Sequence, residues 1–185
     1  HSSQWGLDLF EKNKLIENAK RIGHEALELL NSPDCPTDTM DLMLSPDQMY
    51  LQIHESIGHP LELDRILGDE RNYAGWSFIK PSDFGKLHYG SKLMNVTFDP
   101  TVVGQNASYI ADDIGAMATR EYLIKDGLLL RGLGSLESQN RLGLPGVSSQ
   151  RATNWNRAPI DRMANVNLEP GHSQLDDMIK SVERG

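Results

Sequence analysis

Positive charge is in short supply: 18 Lys and Arg stand against 26 Asp and Glu in 185 residues, a formal net charge of −8. A protein that tracks a nucleic-acid backbone needs a basic face, so this balance argues against direct binding to DNA or RNA. Cysteine occurs once, at Cys35, which excludes an intrachain disulfide and makes a reducing cytoplasm the simplest home. No run of 18 apolar residues is present, so neither a transmembrane helix nor a membrane partner is expected. No secretory leader is expected either, although the sequence starts at His1 and not at a methionine. There is no glycine-rich phosphate loop, no Gly-x-Ser-x-Gly nucleophile motif and no internal repeat. The length suits one well-formed core or part of a larger protein.

What the sequence does have is concentrated between Ser45 and Asp64, SPDQMYLQIHESIGHPLELD. It opens like a helix. Ser45 can cap it, Gln48 three residues on completes a capping box, and Pro46 falls at the first helical position, where its missing N–H costs nothing. Asp47 suits the positive end of the helix dipole. Met49, Ile53 and Ile57 recur every four residues and form one apolar stripe. Gly58 and Pro60 then disfavour regular helix around His59.

The chemistry lies at that ending, where His54, Glu55 and His59 fall within six residues. Metalloprotease helices usually place two histidines at i, i+4 on one face. Here the spacing is i, i+5, and five residues of α-helix turn through roughly 500°, leaving the rings about 140° apart. The rings converge only if the last turn is widened, as in a π-bulge, a distortion frequent at functional sites. With that widening, His54 and His59 can bind one metal ion and Glu55 can act as general base. Without it, they are polar residues on the surface of an amphipathic helix. Glu62 and Asp64 are candidates to orient a ligating imidazole. Cys35 and His88 are the remaining candidates for a third ligand, Cys35 reading more simply as a structural loop cysteine.

Elsewhere the pattern predicts a long helix over 8–31, with Leu15, Ala19, Ile22 and Ala26 on one face, Glu17 and Arg21 paired, and His24 solvated. A strand is expected over 41–44. Residues 68–84 read as an ordered loop in which Tyr73, Trp76 and Phe78 either line a substrate groove or anchor the loop. A strand is expected over 93–98, then a hairpin of 119–124 and 128–133 turning at Asp126-Gly127. Asp112 and Asp113 read as a solvated turn. Residues 134–160 read as a long loop leading to Arg162, whose planar fork of donors could hold a peptide carboxylate or cap a structural turn. A short helix is expected over 176–183.

Two blocks carry a resemblance. The first joins Cys35-Pro36 and Met40-Asp41 to HESIGHPLELD at 54–64. The second is RAPIDRMAN at 157–165, followed by Pro170-Gly171 and Met178 through Val182. In these the chain resembles the TldD/PmbA family of zinc metallopeptidases, and the TldD type within it, because the partner type usually lacks an intact motif. The resemblance implies an α+β fold: a helical lead-in over 1–33, then a metallopeptidase-like catalytic domain over 34–185, incomplete at its C-terminus and built mostly of antiparallel strands. It implies zinc held by His54, His59 and a cysteine thiolate from beyond residue 185. It implies hydrolysis of short or unfolded peptides, and pairing with a related subunit as a homo- or hetero-oligomer. The alternatives are a non-catalytic, metal-stabilised partner or regulatory subunit, and a metal-dependent hydrolase of a non-peptide amide.

Overall fold

A computed structural model describes residues 4–185 as two compact units. One comprises the residues up to Met43 with Gly104–Asn106 and Leu175–Gly185; the other comprises Leu44–Val103 and Ala107–Gln174.

In the first unit, the expected long helix is two helices, α1 (Asp8–Lys12) and α2 (Leu15–Leu30). They part at Lys14, which takes a left-handed φ of 47°. The side-chain amide of Asn13 donates to the Leu9 carbonyl at 2.7 Å, the local competition with helical bonding that makes Asn a helix terminator. Arg21 pairs with Glu25 at 2.5 Å, not with Glu17, which faces Lys14 at 3.8 Å. His24 is exposed, and neither helix has a buried residue. The strand expected over 41–44 is absent: Asp41 lies in irregular chain and donates its N–H to the Arg184 carbonyl at 2.9 Å. The last helix, Leu175–Ser181, lies close to its expected span.

The second unit is α+β and carries the motif. Helix α3 (Pro46–Ile53) passes without a break into a π-helical turn at His54–Gly58, a 3-10 turn at His59–Leu61 and helix α4 (Leu63–Leu67). Ser45 sits at the cap of α3 in extended conformation, but its side chain makes no capping hydrogen bond, so the expected capping box does not form. Strand β1 (Val96–Phe98) runs antiparallel to β2 (Glu121–Lys125), and β2 turns into β3 (Leu128–Leu129) at Asp126 and Gly127, with φ values of 50° and 78°. Two consecutive positive φ values are what a type I′ hairpin requires.

The expected loop over 134–160 contains helix α5 (Leu136–Leu142) and strand β4 (Gln150–Arg151), which pairs with β5 (Ile160–Asp161). Strand β6 (Val166–Leu168) completes an antiparallel sheet in the order β3-β2-β1-β6. Of the acidic pair, Asp113 is an exposed turn residue as expected, but Asp112 is not solvated. Asp112 is buried and accepts from the Ser135 hydroxyl at 2.7 Å and the backbone N–H groups of Ala116 and Gln150 at 2.8 and 3.3 Å. It ties three segments together as buried carboxylates must be tied, through hydrogen bonds.

Fully buried Val96, Phe98, Leu123, Ile124 and Leu129 form the sheet's contribution to the core, and Ile57, Leu61 and Leu63 form that of the motif segment. The backbone links the two. Leu63 N–H donates to the Leu133 carbonyl at 2.8 Å, and Leu133 N–H donates to the Leu61 carbonyl at 2.7 Å. Glycines flank Leu133 for a reason: a Cβ on Gly132 or Gly134 would come within 2.2 or 2.6 Å of the Leu63 side chain. The segment just after the histidines is thus fastened to a continuation of β3.

Candidate metal centre

The widening expected from the i, i+5 spacing is present. In the turn His54–Gly58 the His59 N–H reaches back five residues to the His54 carbonyl. This extra residue per turn removes the angular mismatch of a regular helix, and the two rings stand edge-to-face with centroids 4.5 Å apart. One ligand atom from each of His54, Glu55 and His59 lies within 4.8 Å of the others. His54 and Glu55 are exposed and His59 is half-buried, so the cluster opens to solvent on one side.

Three other segments meet the turn. The Tyr89 hydroxyl donates to the Ser56 carbonyl. The Ser77 hydroxyl donates to the Pro60 carbonyl at 2.6 Å. Met163 packs so closely on Gly58 that a Cβ there would come within 1.9 Å of its sulfur.

Behind His59 lies a buried ionic network. Glu62, with no exposed surface, places Oε2 3.1 Å from His59 Nδ1, and Arg65 approaches the same oxygen through Nε at 3.1 Å and Nη2 at 3.0 Å. Arg65 Nη2 is also 3.2 Å from His59 Nδ1. A guanidinium has no acceptor and stays charged, so the consistent arrangement has both Nδ1–H and Nη2–H donating to Glu62 Oε2. That tautomer leaves the lone pair of His59 on Nε2, the state a metal-ligating imidazole needs. Arg65 is held from its far side by the Ala74 carbonyl.

Of the three residues expected near the ligands, Glu62 touches an imidazole; Asp64 and Arg162 do not. Arg162 donates to the Asp161 carbonyl at 2.8 Å and to Glu70 at 3.2 Å, and its Nη1 stands 3.8 Å from Glu62 Oε1, which has no hydrogen-bond partner. Its fork of donors is turned inward. Asp64 packs on Asp161, and burial, reinforced by the charges of Asp161 and Glu62, pushes its carboxyl up to about 7.

His88 does not join the cluster; it is exposed and bridges to Leu128, and Cys35 is exposed in the first unit. Among the described residues, the His54, Glu55 and His59 group is the one whose spacing could hold an ion. Tyr73, Trp76 and Phe78 are 89%, 67% and 65% exposed, and Phe78 meets the Tyr89 ring with centroids 6.2 Å apart. Sequence reasoning missed Arg65 and Tyr89. The i, i+3 spacing of Glu62 and Arg65 was an available signal for the first; nothing local marked the second.

Comparison with known proteins places this chain in a family. The family model for the PmbA/TldA metallopeptidase C-terminal domain matches residues 37–185. A protein of Methanothermobacter thermautotrophicus named "Metalloprotease" is 31% identical over 182 residues, covering 97% of this chain and 37% of its own. A "Zinc metalloprotease TldD homolog" of Saccharolobus solfataricus is 22% identical, covering 100% of this chain and 39% of its own. The crystal structure of TldE from Thermococcus kodakarensis shares the fold, with a TM-score of 0.55 at 18% identity over 72% of this chain and 28% of its own. The chain therefore belongs to the TldD/PmbA family and spans a little over a third of the length of these curated relatives, at 37% and 39%.

Proposed function

We propose that this protein is part of a zinc-dependent peptide hydrolase acting on short or unfolded peptides, with His54 and His59 as metal ligands and Glu55 as general base. The observation that carries the reading is the convergence of the two imidazoles and the Glu55 carboxylate within 4.8 Å at a π-turn. The donor set fits the ion. Zinc takes imidazole nitrogens and carboxylate oxygens, and its catalytic sites usually have three protein ligands with one position open. The resemblance implies that a cysteine from another part of the protein supplies the third.

Zinc bound there would polarise the scissile carbonyl and acidify a water. Glu55, exposed beside His54, would take up that proton as general base and pass it to the leaving amine. Glu62 keeps the His59 Nδ1 proton in place, which directs Nε2 outward and raises its basicity as a ligand. The names of the relatives, metalloprotease and zinc metalloprotease, support the reaction class and the ion.

The further parts of this reading are assembly with a related subunit and a reducing cytoplasm as the compartment. The likeness to TldE supports the first, and the lone, free Cys35 supports the second. No described helix is long and apolar enough to cross a membrane. The test is hydrolysis of a mixed peptide library before and after chelation, with zinc added back. Cleavage that stops with chelator and returns with zinc is expected; cleavage indifferent to chelator overturns the reading.

A further inference from the structure

The π-turn itself needs explaining. Helices prefer the α pattern, and a widened turn persists only where its surroundings hold it. In an α-helix the Ser56 carbonyl would accept the N–H of residue 60, but that residue is Pro60, which has none. The N–H one position earlier, on His59, is directed to the His54 carbonyl. The Ser56 carbonyl instead receives a hydroxyl from outside the helix, that of Tyr89, which is 33 residues away in sequence.

Tyr89 is half-buried, and its ring lies against Phe78. Its backbone N–H donates to the Gly127 carbonyl at 2.7 Å, at the turn between β2 and β3. The hydroxyl is therefore anchored to the sheet. Burial pushes the phenol up to about 12, which keeps it a donor across the working range of pH.

We propose that Tyr89 is a positioning residue of the metal centre: its hydroxyl, by holding the Ser56 carbonyl, keeps His54–Gly58 in the widened turn that brings the two imidazoles together. The inference rests on the metal-site reading above and names a residue that acts through the backbone, without touching ion or substrate. Gly58 is the counterpart on the other side. Met163 fills the space a side chain would take, so the turn is held between a tyrosine hydroxyl and a methionine sulfur.

The test is Tyr89→Phe, which removes one oxygen and keeps the ring. Two measurements are made on the chain: affinity for Zn²⁺ and Co²⁺ by titration with a small thiol supplied in place of the third ligand, and the ring-to-ring nuclear Overhauser effect between His54 and His59 without metal. We expect about tenfold weaker binding, the low end of what removing an outer partner of a ligating histidine costs, and a weakened ring contact. Phe78→Leu, which thins the packing but spares the hydroxyl, is expected to change neither. If Tyr89→Phe does not fold, Gly58→Ala perturbs the same turn from the Met163 side and is expected to lose affinity at least as strongly. Unchanged affinity and ring contact in whichever of these variants folds overturn the role of Tyr89. Failure of the unmodified chain to bind either ion even with the small thiol supplied, with the ring contact present, overturns the metal reading and this inference with it. Binding lost on His59→Ala but kept on Tyr89→Phe overturns the inference alone.

Discussion

Asp64 and Asp161, 97 residues apart in sequence, are bonded reciprocally: the Asp64 N–H donates to the Asp161 carboxylate at 3.2 Å, and the Asp161 N–H donates to the Asp64 carboxylate at 3.1 Å. The exchange fastens β5 to the start of α4, directly below the segment that carries His59. It also sets two carboxyl groups, 6% and 0% exposed, beside each other, with Glu62 adjacent. Burial raises the proton affinity of both, and like charge adds to it.

Stability is therefore expected to fall as pH rises from about 4 to about 7. Asp64 is raised from 3.8 to about 7 in the fold, so the native state binds more protons than the unfolded chain across that window. Each such group makes unfolding easier by at most about 1.4 kcal/mol per pH unit there, and the penalty is complete above the folded value. The contribution is fully favourable below pH 3.8. Urea titrations at several pH values check the slope. Asp64→Asn is expected to flatten it, and a wild-type profile already flat between those limits would refute the shift.

Glu55→Gln is expected to retain metal and lose hydrolysis by about 10²–10⁴-fold, since it removes the proton acceptor and spares both imidazoles. Metal content and peptide turnover measured on the same preparation check this. Turnover like that of the unmodified protein would take Glu55 out of the mechanism.

Glu62→Gln is expected to weaken metal binding by about 10–100-fold, the usual cost of disturbing the outer partner of a ligating histidine. It also leaves Arg65 buried without its anionic partner, so the melting temperature should fall. Metal titration and thermal melting, read together, separate the two effects. Intact affinity would mean that the His59 tautomer is held by something else.

Leu63→Ala is expected to cost about 2–5 kcal/mol in chemical denaturation, as large-to-small changes in tight cores do. Gly132 and Gly134 already close on this side chain, and their backbones leave little room to collapse into the cavity. A cost below about 1 kcal/mol would show that the continuation of β3 moves to fill the space.

Several features were legible in the sequence because their causes are local. The irregular helix end at His59 follows from Gly58, Pro60 and the i, i+5 spacing, and the structure shows a π-turn there. The hairpin at Asp126-Gly127 follows from the positive φ that both residues accept. Helix α5 was invisible for a related reason. Its run LESQNRL carries no apolar stripe, buries Ser138 as its one fully buried residue, and ends on the left-handed Gly143 at φ 65°. A helix that faces its neighbours with small polar groups leaves no hydrophobic period to read.

By itself, then, the sequence determined the His54, Glu55 and His59 cluster, the distortion that lets it converge, and the family whose motifs the chain shares. Tertiary structure alone decided what surrounds the cluster. The inward turn of Arg162, the Asp64–Asp161 exchange and the hydroxyl of Tyr89 on Ser56 depend on contacts between segments distant in sequence. Burial is what gives these contacts their weight. A carboxylate or carbonyl in water needs no particular partner, whereas one removed from water must find a donor wherever the fold supplies it. No pattern along the chain records which donor that will be.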